Sequence, residues 1–244
     1  MPRFFVDSVE GDFVEINGED ARHIALSLRM KNGEHLVLCD GKGREADAVI
    51  REAFPESVVL DILSRQDSAA EPKTEVILYQ ALPKFDKLEY IVQKSVELGV
   101  TKIVPVLTSR CISRPDEKTM KKKLERLRKI ADEAAKQSGR GCLPEVGELL
   151  TYKNAVNEMA KAETPIFFFE HAKYPLHEIM EKRKGGTIAM MVGSEGGFSD
   201  EEAAFAEEKG AFIASLGPRI LRCETAPVAA LSAIMYAAGE MEIK

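Results

Sequence analysis

The residues best suited to chemistry in this 244-residue chain concentrate in two short turns. The first is Val192-Gly193-Ser194-Glu195-Gly196-Gly197-Phe198-Ser199, which follows an apolar stretch and precedes a helical one. Its glycines let the backbone bend sharply and let a ligand lie against the main chain. Ser199 and Glu202 have the spacing of a capping box. The turn lacks both the G-K-[ST] of a phosphate loop and the G-x-G-x-x-G of a dinucleotide site, so spacing alone leaves a purely structural turn as an equal alternative. The second turn is Leu216-Gly217-Pro218-Arg219-Ile220-Leu221-Arg222-Cys223-Glu224-Thr225-Ala226. Two arginines, a glutamate and a threonine crowd a short crossing between apolar elements. Ion-paired arginines there can be structural. Beside a glycine-rich turn from a neighbouring unit, they more readily face an anion or a polarised base. A third group, Lys84, Lys87, Lys94, Arg110, Gln137 and Arg140, sits at predicted strand and helix ends. With the basic stretch Met120–Lys129 it makes a candidate phosphate-contacting surface, although each lysine taken singly reads as ordinary surface.

Two regions must position these groups. Residues 1–65 read as short strands, FFVDSV, DFVEIN, HLVLCDG, EADAVIREA and SVVLDILS, separated by Asn17-Gly18, Asn32-Gly33 and Asp40-Gly41 and interrupted by one helical stretch, GEDARHIALSLRM. That pattern predicts a small, mostly β barrel. RQDSAAEPKT (65–74) is polar and aperiodic and reads as the linker. Residues 71–244 alternate: apolar strands at 75–82, 102–108, 165–170, 187–193 and 211–217, with helices at 86–98, 116–138, 176–184, 200–209 and 226–239. In the first helix Leu88, Ile91, Val92 and Val96 share one stripe, Asp86 and Glu89 mark the start, and Gly99 ends it. In the second, Met120, Leu124, Leu127 and Ala131 face inward. Near-continuous apolar strands alternating with amphipathic helices predict a parallel sheet covered on both faces. The last helix is apolar almost all round, so it must be buried within the chain or against a partner.

Composition narrows the function classes. Hydrophobic residues are 45% and charged residues 30%, an ordinary globular balance. No apolar run approaches the ~20 residues of a membrane helix. The first residues carry acidic groups where a signal peptide is apolar. Cys39, Cys111, Cys142 and Cys223 form no C-x-x-C pair, and the four histidines have no metal-ligand spacing. These features predict a cytoplasmic protein with reduced thiols and no metal. The net charge of −6 hides an asymmetry. Residues 1–70 hold 8 basic and 14 acidic residues, whereas Arg110–Arg140 holds 11 basic and 5 acidic. Phosphate binding needs only such a local basic patch.

Seven stretches, PRFFV, RHIALSLRM, DKLEYIVQKSVELGV, TSRC, AAKQSGR, VGSEGGFS and LGPRILRCETA, occur in order across almost the whole chain. Together they resemble the RsmE family, the ribosomal RNA small-subunit uridine-N3 methyltransferases of the SPOUT class of S-adenosylmethionine enzymes. Two departures stand out. Ser194 occupies the place of the family's usual proline in G-P-E-G-G, and Ser27 replaces a bulkier residue. Both glycines and Glu195 of the loop are kept.

The resemblance implies an N-terminal PUA-like β-barrel (1–70). It also implies a SPOUT methyltransferase domain (71–244) of mainly parallel α/β structure with a deep C-terminal trefoil knot. It implies S-adenosyl-L-methionine as cofactor, held by Phe169, Glu170, Val192, Gly193, Glu195, Gly196, Gly197, Leu216, Gly217, Ile220, Leu221, Arg222, Thr225 and Ala226. The partner it implies is 16S ribosomal RNA in the small ribosomal subunit. Phosphates would be met by Arg3, Arg22 and Arg29 of the barrel together with Lys84, Lys87, Lys94, Arg110, Gln137 and Arg140. It also implies a homodimer, which accounts for the apolar last helix. For catalysis Arg222 is the first choice as donor to the developing uracil oxyanion and Arg219 the second. Glu195 or Glu224 either accepts the N3 proton or holds an arginine. The competing readings are a SPOUT enzyme with another target nucleotide, a nucleotide-binding α/β protein using the GSEGG turn, and a non-catalytic RNA-binding protein. Binding of S-adenosylmethionine separates the methyltransferase readings from the last two.

Overall fold

A computed structural model describes residues 1–172 and 174–242. The chain forms two compact units, Met1–Glu71 with Ala135–Leu143, and Pro72–Ala134 with Pro144–Lys244. No helix of the described residues is long and apolar enough to cross a membrane.

The first unit contains β1 (Arg3–Phe5), β2 (Phe13–Asn17), α1 (Gly18–Arg22), β3 (His35–Cys39), β4 (Arg44–Ala53) and β5 (Ser57–Asp67). The strands pair in the order β1-β3-β4-β5-β2, antiparallel except for β1 with β3. Two register shifts bend β4 against β5, which is how bulges curl a sheet. Phe4, Ile24, Leu36, Leu38, Ile50, Val58 and Leu60 fill the core. α1 runs directly into a π-helical turn, His23–Ser27, and Arg29 beyond it has φ of 54°. β5 extends to Asp67, so Arg65–Asp67 are strand rather than linker; their partners are Arg44–Ala46 on β4. Segment 135–143 packs with this unit, although the strand–helix alternation assigns it to the second. Glu71 explains why. It accepts from the Arg140 guanidinium at 2.9 Å and from the amides of Gly141 (2.8 Å) and Cys142 (2.9 Å).

The second unit contains β6 (Val76–Ala81), α2 (Lys87–Glu97), β7 (Lys102–Leu107), α3 (Glu117–Ser138, whose last turn belongs to the first unit), β8 (Glu145–Val146), β9 (Leu150–Thr151) and α4 (Tyr152–Met159). There follow β10 (Thr164–Phe168), β11 (Tyr174–Pro175), α5 (Leu176–Lys182), β12 (Ile188–Val192), α6 (Asp200–Glu208), β13 (Phe212–Ser215) and α7 (Thr225–Ala237). The sheet runs β11-β13-β10-β12-β6-β7-β8, with β9 beside β7, and every pairing is parallel. β10 and β12 are buried at every position, as continuous apolar runs require. The α2 stripe Leu88, Ile91, Val92 and Val96 and the α3 stripe Met120, Leu124, Leu127 and Ala131 are all buried. α2 starts without the expected acidic cap. The Asp86 side chain makes no capping hydrogen bond, and the residue before it, Phe85, has φ of 56°.

Candidate functional site

In an open parallel sheet, ligands bind beyond the carboxyl ends of the strands. Here β13, β10 and β12 are neighbours, so the three turns that leave them emerge side by side. They enclose a cavity of about 430 Å³, within the 300–1,000 Å³ range of small-molecule sites. Of the expected cofactor residues, Phe169, Glu170, Val192, Gly193, Glu195, Gly196, Gly197, Leu216, Gly217, Ile220, Leu221 and Ala226 line it; Arg222 and Thr225 do not. Phe168, His171, Ser194, Phe198, Ala214, Ser215, Pro218, Arg219 and Cys223 also contribute to the wall.

The glycine loop has little room for side chains. The Gly197 amide donates to the Ser194 carbonyl at 2.9 Å, closing the turn, with Gly197 at φ of 61°. A Cβ at Gly193 would stand 3.1 Å from the Gly197 Cα, and one at Gly196 would stand 3.0 Å from Arg110 Cβ and 3.1 Å from the Arg110 carbonyl oxygen. The loop is anchored at both ends. At its start the buried Gln80 side chain on β6 donates to the Gly193 carbonyl at 3.2 Å. At its exit Phe198 is buried against Phe167, ring centroids 4.3 Å apart. Burying such a ring is worth ~1.5–3 kcal/mol. The expected capping box is present. The Glu202 amide donates to Ser199 Oγ at 3.2 Å and the Ser199 amide to Glu202 Oε2 at 2.9 Å. Glu202 also accepts from the Ser109 amide at 2.8 Å, which ties the β7 turn to α6.

One lysine joins the two turns. Lys87 Nζ lies 3.0 Å from Glu195 Oε1 and 3.1 Å from Glu224 Oε2. The Lys84 amide adds a further donor to the Glu195 carboxylate, at 3.1 Å. Burial alone would push the Glu195 carboxyl up, but its own amide, Lys87 and the Lys84 amide together hold it below its ordinary value of 4.5. Glu224 is held low by its own amide, by the Cys223 thiol and by Lys87. Lys87 is raised above its ordinary 10.5 by hydrogen bonds to Glu195 and Glu224. Cys223 stays a neutral thiol, pushed up to about 12 chiefly by burial.

Linkage then fixes the pH behaviour. Carboxylates held low stabilise the folded arrangement above their ordinary value and lose that contribution as pH falls through the depressed one. A lysine held high contributes below its ordinary value and loses that contribution as pH rises through the raised one. The clamp is therefore at full strength from about pH 5 to about pH 9. Titration calorimetry with S-adenosylmethionine is expected to show the same pH dependence across that window in Glu224→Gln as in the parent, since the clamp itself does not titrate there. The pH–rate profile is expected to carry no limb from Glu195 or Glu224. A limb near pH 6 that disappears in Glu195→Gln would show that Glu195 exchanges protons with the substrate.

The arginines separate. Arg219 lines the cavity and is exposed, and among the described residues its guanidinium makes no hydrogen bond or ion pair. Arg222 is exposed outside the lining; its carbonyl accepts the amides of Thr225 and Ala226, both at 2.9 Å, and so begins α7. Of the two arginines the sequence offers, the cavity wall therefore includes Arg219, the second choice, and not Arg222, the first.

The expected phosphate contacts also divide. Arg22, Arg29 and Gln137 are exposed in the first unit. Arg3 is placed otherwise: it is bound to Glu45 at 2.6 Å and to Cys39 Sγ at 2.8 Å. Arg140 is buried on Glu71. In the second unit Lys94 is paired with Glu97 at 2.8 Å. Arg110 is exposed and donates to the Gly196 carbonyl at 3.1 Å. Lys84 is half-buried. Arg3, Lys94 and Arg140 are thus each paired with a carboxylate, and Lys87 is paired with two.

Sequence reasoning missed Gln80 and the clamping role of Lys87. Gln80 had a signal, a lone amide inside the apolar run EVILYQAL. The Lys87 role had none, because its partners lie more than a hundred residues away in the chain.

A family model described as an RNA methyltransferase domain matches residues 70–235, and one described as an RNA methyltransferase PUA domain matches residues 16–63. The ribosomal RNA small subunit methyltransferase E of Bacillus subtilis is 32% identical over 97% of this chain and 96% of that protein. The protein of the same name from Mycobacterium tuberculosis is 31% identical over 95% of this chain and 90% of its own length. Among solved structures, a ribosomal RNA small subunit methyltransferase E from Neisseria gonorrhoeae bound to S-adenosyl methionine superposes with a TM-score of 0.89. It is 33% identical and the match covers 97% of each chain. A Legionella pneumophila methyltransferase in complex with the same cofactor gives 0.86 at 32% identity, covering 96% of this chain and 97% of that one.

Proposed function

The chain belongs to the ribosomal RNA small subunit methyltransferase E family, and from that premise we propose that it transfers the methyl group of S-adenosylmethionine to N3 of a uridine in 16S ribosomal RNA of the small subunit. The observation that carries the reading is the cavity of about 430 Å³ enclosed by the turns that leave β13, β10 and β12, the two glycine turns after β12 and β13 being tied by one lysine.

The residues present fit the methyl donor. Gly193 and Gly196 make a cradle that any Cβ would disturb. Phe168 and Phe169 give an apolar wall, and Leu216, Gly217 and Leu221 border the same space. When bound, the donor supplies an electrophilic methyl group on a positively charged sulfur. The chain's own task is to hold that group in line with N3, which contributes as much as ~7–11 kcal/mol in favourable cases. Uridine N3 becomes nucleophilic only as its proton leaves, and the resulting charge spreads onto the flanking carbonyl oxygens. Arg219, at the cavity edge, donates to one of them. Glu195 and Glu224 remain ionised and fix the turns through Lys87, and the N3 proton passes to solvent at the open rim.

The remaining parts of the reading rest on sequence and family. The C-terminal segment is knotted, the protein works in the cytoplasm, and it acts as a homodimer. The exposed Tyr236 on α7 and Ile112 supply apolar surface for the second copy. Calorimetry with S-adenosylmethionine and methyl transfer to small ribosomal subunits lacking the modification, with the product base identified by mass, test the proposal. Micromolar binding and a methylated uridine are expected. Absence of binding, or a different methylated base, overturns it.

A further inference from the structure

Phe85 lies between β6 and α2, one residue after Lys84, whose amide binds the Glu195 carboxylate of the cavity wall. Its φ of 56° is a left-handed conformation in which glycine is the ordinary residue. Its ring is also 81% exposed. Neither the backbone nor burial accounts for a phenylalanine here. Strained backbone of this kind concentrates at ligand sites. A cation stands beside it: Lys123 Nζ donates to the Phe85 carbonyl at 3.4 Å, and α3, the helix that carries Lys123, also bears the exposed Lys118, Lys121 and Lys122. An exposed aromatic ring beside a lysine, on the edge of a basic helix, is the chemistry that holds an unpaired base, with stacking on the ring face and phosphates on the cations.

We propose that Phe85 is the stacking platform for an unstacked RNA base beside the methyl-donor cavity. This inference rests on the proposed methyl transfer to RNA and adds the residue that receives the substrate. It makes Phe85 a substrate-binding residue rather than a structural one, because glycine would suit the turn better.

The test uses the whole protein with unmodified small ribosomal subunits. In Phe85→Gly the melting temperature is expected to stay level or rise and S-adenosylmethionine affinity to stay within about twofold of the parent. Affinity for the subunits, read by co-sedimentation, and kcat/KM for methyl transfer are both expected to fall by about tenfold, within the range of one base–aromatic stack. Phe85→Trp is expected to retain both, and Phe85→Leu to lose them. Unchanged subunit affinity and kcat/KM in Phe85→Gly overturn the proposal, as does full retention in Phe85→Leu. If the parent transfers no methyl group while Phe85→Gly still loses subunit affinity, the methyl-transfer reading fails and the stacking platform stands. If the parent transfers and Phe85→Gly matches it, the platform fails and the methyl-transfer reading stands.

Discussion

Replacing Arg219 by alanine is expected to lower kcat for methyl transfer about 100-fold to 1000-fold, the loss that follows removal of one donor aimed at a developing oxyanion. The guanidinium lines the cavity without a partner among the described residues, so the fold gains nothing from it that the variant would forfeit. The melting temperature should therefore stay where it is, and S-adenosylmethionine affinity should change little. Arg222→Ala should show a smaller loss, because Arg222 contributes its carbonyl to the start of α7 and its side chain lies outside the cavity wall. Single-turnover transfer, measured with both substrates saturating, separates the two. Near-normal turnover in Arg219→Ala together with inactive Arg222→Ala would restore the ranking read from sequence.

Gly196→Ala is the second substitution with a large expected effect. The added methyl would meet Arg110 at 3.0 Å and 3.1 Å, and the second of these contacts is with backbone oxygen that cannot rotate away. The loop must shift, which strains the hydrogen bond from Arg110 to the Gly196 carbonyl. Overpacking of this kind costs about 1–3 kcal/mol, and a distortion of that size confined to the cavity wall corresponds to roughly tenfold or more in ligand affinity. Calorimetry should show weaker S-adenosylmethionine binding and a lower melting temperature together. Binding at the parent affinity would mean that the ligand does not use this loop.

The legible parts of the fold are those set by local pattern. The stripe Leu88, Ile91, Val92 and Val96 follows from helical periodicity and is buried. The bonds between Ser199 and Glu202 follow from a three-residue spacing. The parallel sheet follows from strands such as Ile188–Val192 that are apolar at every position. Pairings across long stretches of chain are not legible. Nothing near Lys87 in sequence indicates that it bridges Glu195 and Glu224, and nothing near Arg3 indicates Glu45. Arg65–Asp67 read as linker because their composition is polar, yet β4 supplies their backbone partners. α4 escapes a reading of the sequence because its eight residues carry a short apolar pattern without a clear cap.

The ties that hold the glycine turn join residues far apart in the chain: Gln80 to Gly193, Lys84 to Glu195, and Lys87 to Glu224. Contacts of such high contact order form late, after the intervening chain has been ordered. A nascent chain leaving the ribosome therefore cannot complete this set of ties until Glu224 has emerged, and any product truncated before that point is born with the glycine turn only partly held.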